Sequence, residues 1–184
     1  MLQVRPVREM EYEDAGRVIV TSYEALQPEA HGWAVRAGLA RSASLSDGTA
    51  GRTYGELLAD IGRRAAEAEV LVAARPEVVG CVTFVADAAS PWAEDLEPEE
   101  AGVRMLAVHP AAQGQGVGRA LLRACVARAQ ELGRNGLFLH TTPWMTAAHH
   151  LYETVGFVRV PDRDWLPAPE VPLLAFRLDL DAHR

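Results

Sequence analysis

The sequence is poor in the features that would assign it to a specialised class. Two cysteines, Cys81 and Cys125, in 184 residues are too few and too far apart for a disulfide framework or a zinc knuckle. Both are expected to be reduced thiols buried as small core residues. No apolar run approaches the roughly 20 residues that a membrane-crossing helix needs. The opening MLQVRPVREMEYED carries acids where a secretory leader would be apolar. A cytoplasmic protein without a membrane partner is the expectation. Excess positive charge is also missing: the formal net charge is −7, which argues against the clustered Lys and Arg of a nucleic-acid footprint. Cationic or amine-bearing molecules are the partners that suit such a chain. Neither an internal repeat nor a low-complexity stretch is present.

What the chain does contain is ordinary core material, with 49% hydrophobic and 23% charged residues, as suits one domain spanning residues 1–184. Leu2 to Val7 reads as a strand. Tyr12, Ala15, Val18, Ile19, Ser22 and Tyr23 then recur at helical steps. His31 to Arg52, rich in Gly, Ser and Ala, reads as a mobile connection with a short helix at Trp33 to Leu39, and Tyr54 to Ala68 as a second helix. Val70 to Ala74 and Val78 to Val85 are β-branched runs around Arg75, Pro76 and Glu77, a hairpin pattern.

The segment from Ala86 to Gly102 carries Asp87, Glu94, Asp95, Glu97, Glu99 and Glu100 without a basic residue, as a solvated loop does. Val103 to Val108 is a strand stopped by Pro110. Val117, Leu121, Cys125, Val126, Ala129 and Leu132 form one helical stripe that Gly133 ends. Leu137 to His140 is a short strand. Thr142 before Pro143 opens a helix in which Ala147, Leu151 and Val155 repeat until Gly156. Phe157 to Val160 and Leu173 to Leu180 are the closing strands. The last alternates cleanly, as a half-covered strand does, and its amphipathic pattern suits pairing at a homodimer interface. The order of elements is that of a mixed α/β domain.

The chemically informative segment is MLAVHP, from Met105 to Pro110, followed by Gln113, Gly114, Gln115, Gly116, Val117, Gly118 and Arg119 at the mouth of a helix. A Gly-rich turn between a strand and a helix aims several N–H groups at one point, and the helix dipole adds roughly half a positive charge there. A pyrophosphate is the natural guest. The spacing is neither the dinucleotide GxGxxG, for want of a well-placed acid downstream, nor the P-loop, for want of a Lys followed by Ser or Thr.

Gln113 to Gly118 resembles the Q/R-x-x-G-x-G/A signature of the GNAT superfamily of acyl-CoA-dependent N-acyltransferases, and MLAVHP resembles that family's fourth strand. AAHHLYETVGF, from Ala147 to Phe157, resembles its second motif, in which a Tyr precedes GF. The resemblance extends over most of the chain. It implies a central, mostly antiparallel sheet splayed between strands 4 and 5 and flanked by helices. It implies acetyl-CoA as cosubstrate, with the pantetheine arm along Leu106, Ala107 and Val108. The pyrophosphate would lie on the amides of Gln113, Gly114, Gln115, Gly116, Val117, Gly118 and Arg119, with the Arg119 side chain available to a phosphate.

Tyr152 would protonate the departing thiolate. The amine must also lose a proton, since an alkylammonium has a pKa of about 10.4. The family often supplies a Glu from the fourth strand, but Gly102 and Arg104 stand at those positions here, and Glu99 and Glu100 just upstream are the substitutes. Met145 replaces an Asn that many members carry, leaving the backbone of Thr141 or Thr142 to hold that part of the cosubstrate. No metal site is expected: His149 and His150 point about 100° apart on a helix, and His140 has no carboxylate at a recognised ligand spacing.

Trp33 and Trp92 lie in loops that, by the family's topology, border the acceptor. The resemblance thus implies acetyl transfer to a primary amine of a small molecule or peptide. A non-catalytic acyl-CoA-binding sensor is the alternative.

Overall fold

The computed structural model describes residues 1–25, 54–166 and 172–180. The strands are β1 (Gln3–Pro6), β2 (Glu69–Ala74), β3 (Val78–Val85), β4 (Glu100–Val108), β5 (Gly136–Thr141), β6 (Val158–Arg159) and β7 (Leu174–Asp179). The helices are α1 (Tyr12–Glu24), α2 (Tyr54–Ala59), α3 (Ile61–Glu67), α4 (Val117–Glu131) and α5 (Thr146–Val155). The expected connection from His31 to Arg52, with its short helix, lies outside the described residues.

The alternation of the strands decides which side each helix covers. Leu71, Ala73, Val82 and Phe84 turn to one face and meet Leu121, Cys125 and Ala129 of α4 and Tyr152 of α5. Val70, Val72 and Cys81 turn to the other and meet Ala15, Val18 and Ile19 of α1, with Leu58 and Ile61 beside them. Both cysteines are buried thiols. Among the described residues the seven strands join one sheet, ordered β1-β2-β3-β4-β5-β7-β6. Every neighbouring pair is antiparallel except β4 and β5.

That parallel pair holds together over only Glu100↔Gly136, Ala101↔Leu137 and Gly102↔Phe138. Beyond Gly102, β4 follows β3 and β5 follows β7, so the two strands part. A β-bulge marks the divergence. Thr83 faces Arg104 and Cys81 faces Ala107, which gives β4 one residue more than β3 over this stretch, and Met105 takes a left-handed φ of 53°. The extra residue shifts the alternation. Val103 and, past the bulge, Leu106 and Val108 all pack toward α4, while Ala107 packs toward α1.

Several expectations need correction. Glu100 to Gly102 belong to β4, not to the acidic loop. The helix expected over Tyr54 to Ala68 is two, because Asp60 accepts from the Arg63 N–H at 3.1 Å and starts α3 as its N-cap. The buried Arg64 then donates to the carbonyls of Leu57 at 2.8 Å and Leu58 at 2.7 Å, satisfying groups at the end of α2 that the break leaves open. Helix α5 begins at Thr146 rather than Thr142, and its inward line is Ala148, Leu151, Tyr152 and Val155, with Ala147 exposed. Strand β7 is not a free edge: β5 pairs along its whole length and β6 takes part of the other side. Its apolar face, Phe176, Leu178 and Leu180, is spent in the core.

Helix α4 packs tightly on the sheet at Gly80, where a Cβ would stand 2.7 Å from Cγ1 of Val117 and 3.0 Å from Cδ1 of Leu121. Gly80→Ala is therefore expected to lower stability in urea by about 1–3 kcal/mol through overpacking. An unchanged midpoint would contradict this close approach.

Candidate active site

The turn after β4 is shaped by its own polar side chains. His109 Nδ1 accepts from the Ala111 N–H at 3.3 Å, and the Gln113 side-chain amide donates to the Val108 carbonyl at 3.2 Å. The Gln115 side chain donates to the Ala111 carbonyl at 2.8 Å and accepts from Arg75 of the β2–β3 hairpin. Gly114 and Gly116 have φ of 73° and 80°, a region in which an L-residue costs roughly 1–2 kcal/mol. A Cβ at either would meet no atom within 4 Å, so the turn needs glycine for its backbone and leaves open space beside it.

Gly116 is the N-cap of α4 and supplies no side-chain acceptor. The N–H groups of Val117, Gly118 and Arg119 consequently lack an intrahelical partner and remain available to an anion, with the helix dipole behind them. Arg119 is exposed, with a long 3.4 Å hydrogen bond to Thr154 Oγ1. The turn leads directly out of the strand that parts from β5. Leu106 and Val108 are half-buried there, and Ala107 is buried against the α1 side. This set of groups fits a long ligand that carries a pyrophosphate at one end and an amide-bearing arm at the other.

Tyr152 closes the α5 side of the parting. It is 6% exposed, with its ring 5.7 Å from that of Phe176 and 5.9 Å from that of Phe157. Burial pushes the phenol up to about 12, with hydrogen bonding to Thr141 working in the opposite direction. A phenol so placed is fully protonated at neutral pH and has a proton to donate. Met145, which stands in the place of the family's Asn, accepts instead through Sδ from Thr141 Oγ1 at 3.6 Å.

Comparison with known proteins gives the family of the chain. Residues 33–157, more than half of the chain, match the model of the acetyltransferase (GNAT) family. The chain belongs to that family.

A mycothiol acetyltransferase from Gordonia bronchialis is 38% identical over 80 residues, which is 40% of this chain and 26% of that protein. A [ribosomal protein bS18]-alanine N-acetyltransferase from Haemophilus ducreyi is 37% identical over 73 residues, 39% of this chain and 50% of the other. The chain thus aligns with half or less of these curated relatives. Among solved structures, a GNAT acetyltransferase from Staphylococcus aureus has a TM-score of 0.65 at 12% identity, covering 98% of this chain and 99% of that one. The yncA protein of Salmonella typhimurium, a putative acetyltransferase solved with acetyl-CoA, has a TM-score of 0.62 at 18% identity, covering 100% and 96%.

In this GNAT domain Glu100 has partners other than those a proton acceptor needs. It is fully buried. Arg163 Nη1 donates to both of its oxygens at 3.0 Å, and Arg177 Nε donates to Oε1 at 2.8 Å. Arg163 also bonds Asp95 and lies 3.6 Å above the ring centroid of Phe138. A carboxylate with both oxygens held by guanidinium groups is a structural tie. It also sits where β4 and β5 are still paired, away from the parting. Glu99, the other substitute, accepts from the Asn135 side chain at 2.7 Å.

The position at Gly102 is tight for a side chain: a Cβ would stand 3.2 Å from Leu96 Cδ1. The carboxylate that reaches this area is Glu94, from the loop. Its Oε2 lies 3.4 Å from Arg104 Nη2 and 3.6 Å from His140 Nδ1. Trp92, Glu94, Gly102, Arg104, Phe138 and His140 line a small depression on the sheet face opposite Tyr152. Sequence reasoning missed Glu94 and His140. The signal for His140 is its alternation: Leu137 and Leu139 enter the α4 core, so Phe138 and His140 must face the other way. Trp92 is buried, its indole N–H donating to Glu67 at 2.8 Å; Trp33 lies outside the described residues.

Removing the tie at Glu100 leaves two guanidinium groups facing one another, partly exposed at 15% and 26%. Glu100→Ala is expected to cost about 2–4 kcal/mol, somewhat below the range for a fully buried pair. Urea denaturation measures it, and an unaltered midpoint would refute the structural role.

Proposed function

We propose that this protein transfers the acetyl group of acetyl-CoA directly to a primary amine of a small molecule or peptide, within one N-acetyltransferase domain of a cytoplasmic protein. The observation that carries the reading is the parting of β4 and β5, flanked by the uncapped start of α4 and by Tyr152. The name of one curated relative, an alanine N-acetyltransferase, supports an amine acceptor. The formal charge of −7 suits a cationic one.

Acetyl-CoA, when bound, supplies an activated acyl group whose carbonyl carbon an amine can attack. The free amides of Val117, Gly118 and Arg119 bind the pyrophosphate, with Gly114 and Gly116 keeping the approach clear. The free edge of β4 from Leu106 to Val108 pairs with the pantetheine arm and orients it. Tyr152 gives its proton to the departing sulfur, which makes the thiolate a competent leaving group. No covalent acyl-enzyme is required.

Release of free thiol from acetyl-CoA, followed across spermidine, an aminoglycoside and a peptide with a free N-terminal alanine, tests the reading. Turnover with at least one of them is expected. Silence with all, together with tight CoA binding, would favour the sensor. Tyr152→Phe is expected to lower kcat by roughly 10²-fold or more while cofactor affinity holds, and an unchanged kcat would remove the acid from Tyr152. Gly116→Val is expected to weaken CoA binding in calorimetry; undiminished affinity would argue against the pyrophosphate site.

A further inference from the structure

The depression on the face opposite Tyr152 contains a histidine whose hydrogen bonding is half complete. His140 Nε2 lies 3.0 Å from the carbonyl oxygen of Arg163. A carbonyl only accepts, so Nε2 carries the proton, and in the neutral ring Nδ1 presents a lone pair. Nδ1 is buried and has no hydrogen-bond partner, on a side chain only 2% exposed. Its nearest charged neighbour is Oε2 of Glu94, at 3.6 Å, and an ionised carboxylate has no proton to offer. Glu94 is already paired with Arg104 at 3.4 Å, so the group left to complete is the Nδ1 lone pair, and a donor that carries positive charge suits a spot beside a carboxylate.

We propose that His140 is the proton acceptor for the incoming amine, with Glu94 beside it receiving the same ammonium group. The inference rests on the acetyl-transfer reading above. A primary ammonium has three donors, enough to reach Nδ1 and Glu94 together. One N–H proton passes to Nδ1, directly or through one water, and the ring becomes an imidazolium. It donates through Nε2–H to the Arg163 carbonyl, and Glu94 balances its charge.

The neutral amine then attacks the thioester carbonyl. The C–N bond forms, the C–S bond breaks, and the sulfur takes the Tyr152 proton. The second amine proton returns to the Tyr152 oxygen through solvent, and the imidazolium proton leaves with the bulk. The sum is one amide, one thiol and one released proton from one ammonium and one thioester.

The placement suits the division of labour. On β5, Thr141 faces Tyr152 while His140 faces the other side of the sheet. The sulfur's acid and the amine's base thus flank the parting from opposite faces. The charged groups around the ring are Glu94 from the loop, Arg104 from β4, and Arg163 and Asp164 from the turn after β6, where Asp164 is paired with Arg159 at 2.7 Å. Phe138, with its ring centroid 4.9 Å away, and Trp165, at 6.3 Å, fix the ring's plane.

The test compares wild type with His140→Gln and His140→Asn, using spermidine and hydrazine as acceptors in the thiol-release assay. Hydrazine is a much weaker base than spermidine and, assayed near pH 9, is largely neutral and needs little deprotonation. With spermidine the variants are expected to lose roughly 10²–10⁴-fold in kcat and to lose the acid limb of the kcat/KM–pH profile. With hydrazine they should stay within about threefold of wild type, and calorimetric acetyl-CoA affinity should be retained. ¹⁵N NMR of histidine-labelled wild type is expected to report the Nε2–H tautomer for His140.

Equal losses with both acceptors, or turnover with spermidine unchanged, overturn this proposal and leave acetyl transfer standing. An Nδ1–H tautomer overturns it independently of activity. A wild-type protein that releases no thiol with any amine overturns the acetyl-transfer reading and this proposal with it.

Discussion

One surplus residue in β4 governs the geometry of this domain. Over a span in which β3 advances from Thr83 to Cys81, β4 must fit Arg104 to Ala107, and the accommodation is a bulge with Met105 in the left-handed region. A bulge sharpens the local twist and ends regular pairing, and here it coincides with the end of the β4–β5 ladder at Gly102↔Phe138. Two strands that would otherwise satisfy each other's backbone are left with free edges. Buried backbone groups demand partners, and on the proposed reading the cofactor supplies them at the parting.

The parting is held open by forces on either side of it. Below it, Glu100 gathers Arg163 and Arg177 and ties the paired ends of β4, β5 and β7 to the turn after β6. Above it, α4 is drawn against the sheet at Gly80, which fixes where its first-turn amides stand. The bulge also sets which side chains look which way. Leu106 and Val108 remain on the α4 face, while Arg104 turns to the opposite one with Glu94 and His140. On the proposed reading the cofactor and Tyr152 use one face and the acceptor the other.

Much of this was legible in the sequence where a residue is demanded by the backbone itself. Gly114, Gly116, Gly133 and Gly156 occupy left-handed positions, and such positions announce themselves because few other residues serve. The α4 stripe was legible because a buried helix face must repeat, although Leu132 is exposed and the buried Leu122 was not part of the expected stripe. Glu100 was not. Amid six acids it reads as solvated loop, and only the arginines 63 and 77 residues further on make it a strand residue. The bulge was hidden too, since Met105 is not glycine and nothing local marks it. His140 and Glu94 were invisible as a pair because they meet only when β5 and the loop before β4 are brought together. The family motif points to the proposed cofactor end of the site, while the proposed acceptor end depends on such long-range meetings.

The central claim is that the acetyl-CoA site is the segment running from the parted half of β4 through the glycine turn into α4. Hydrogen–deuterium exchange with and without acetyl-CoA tests it most directly, because an edge strand and an uncapped helix start exchange freely until something bonds to them. Peptides covering residues 103–119 are expected to slow markedly on adding acetyl-CoA, with β1 and β2 unaffected. Protection confined to other elements, with residues 103–119 exchanging as before, would contradict the account.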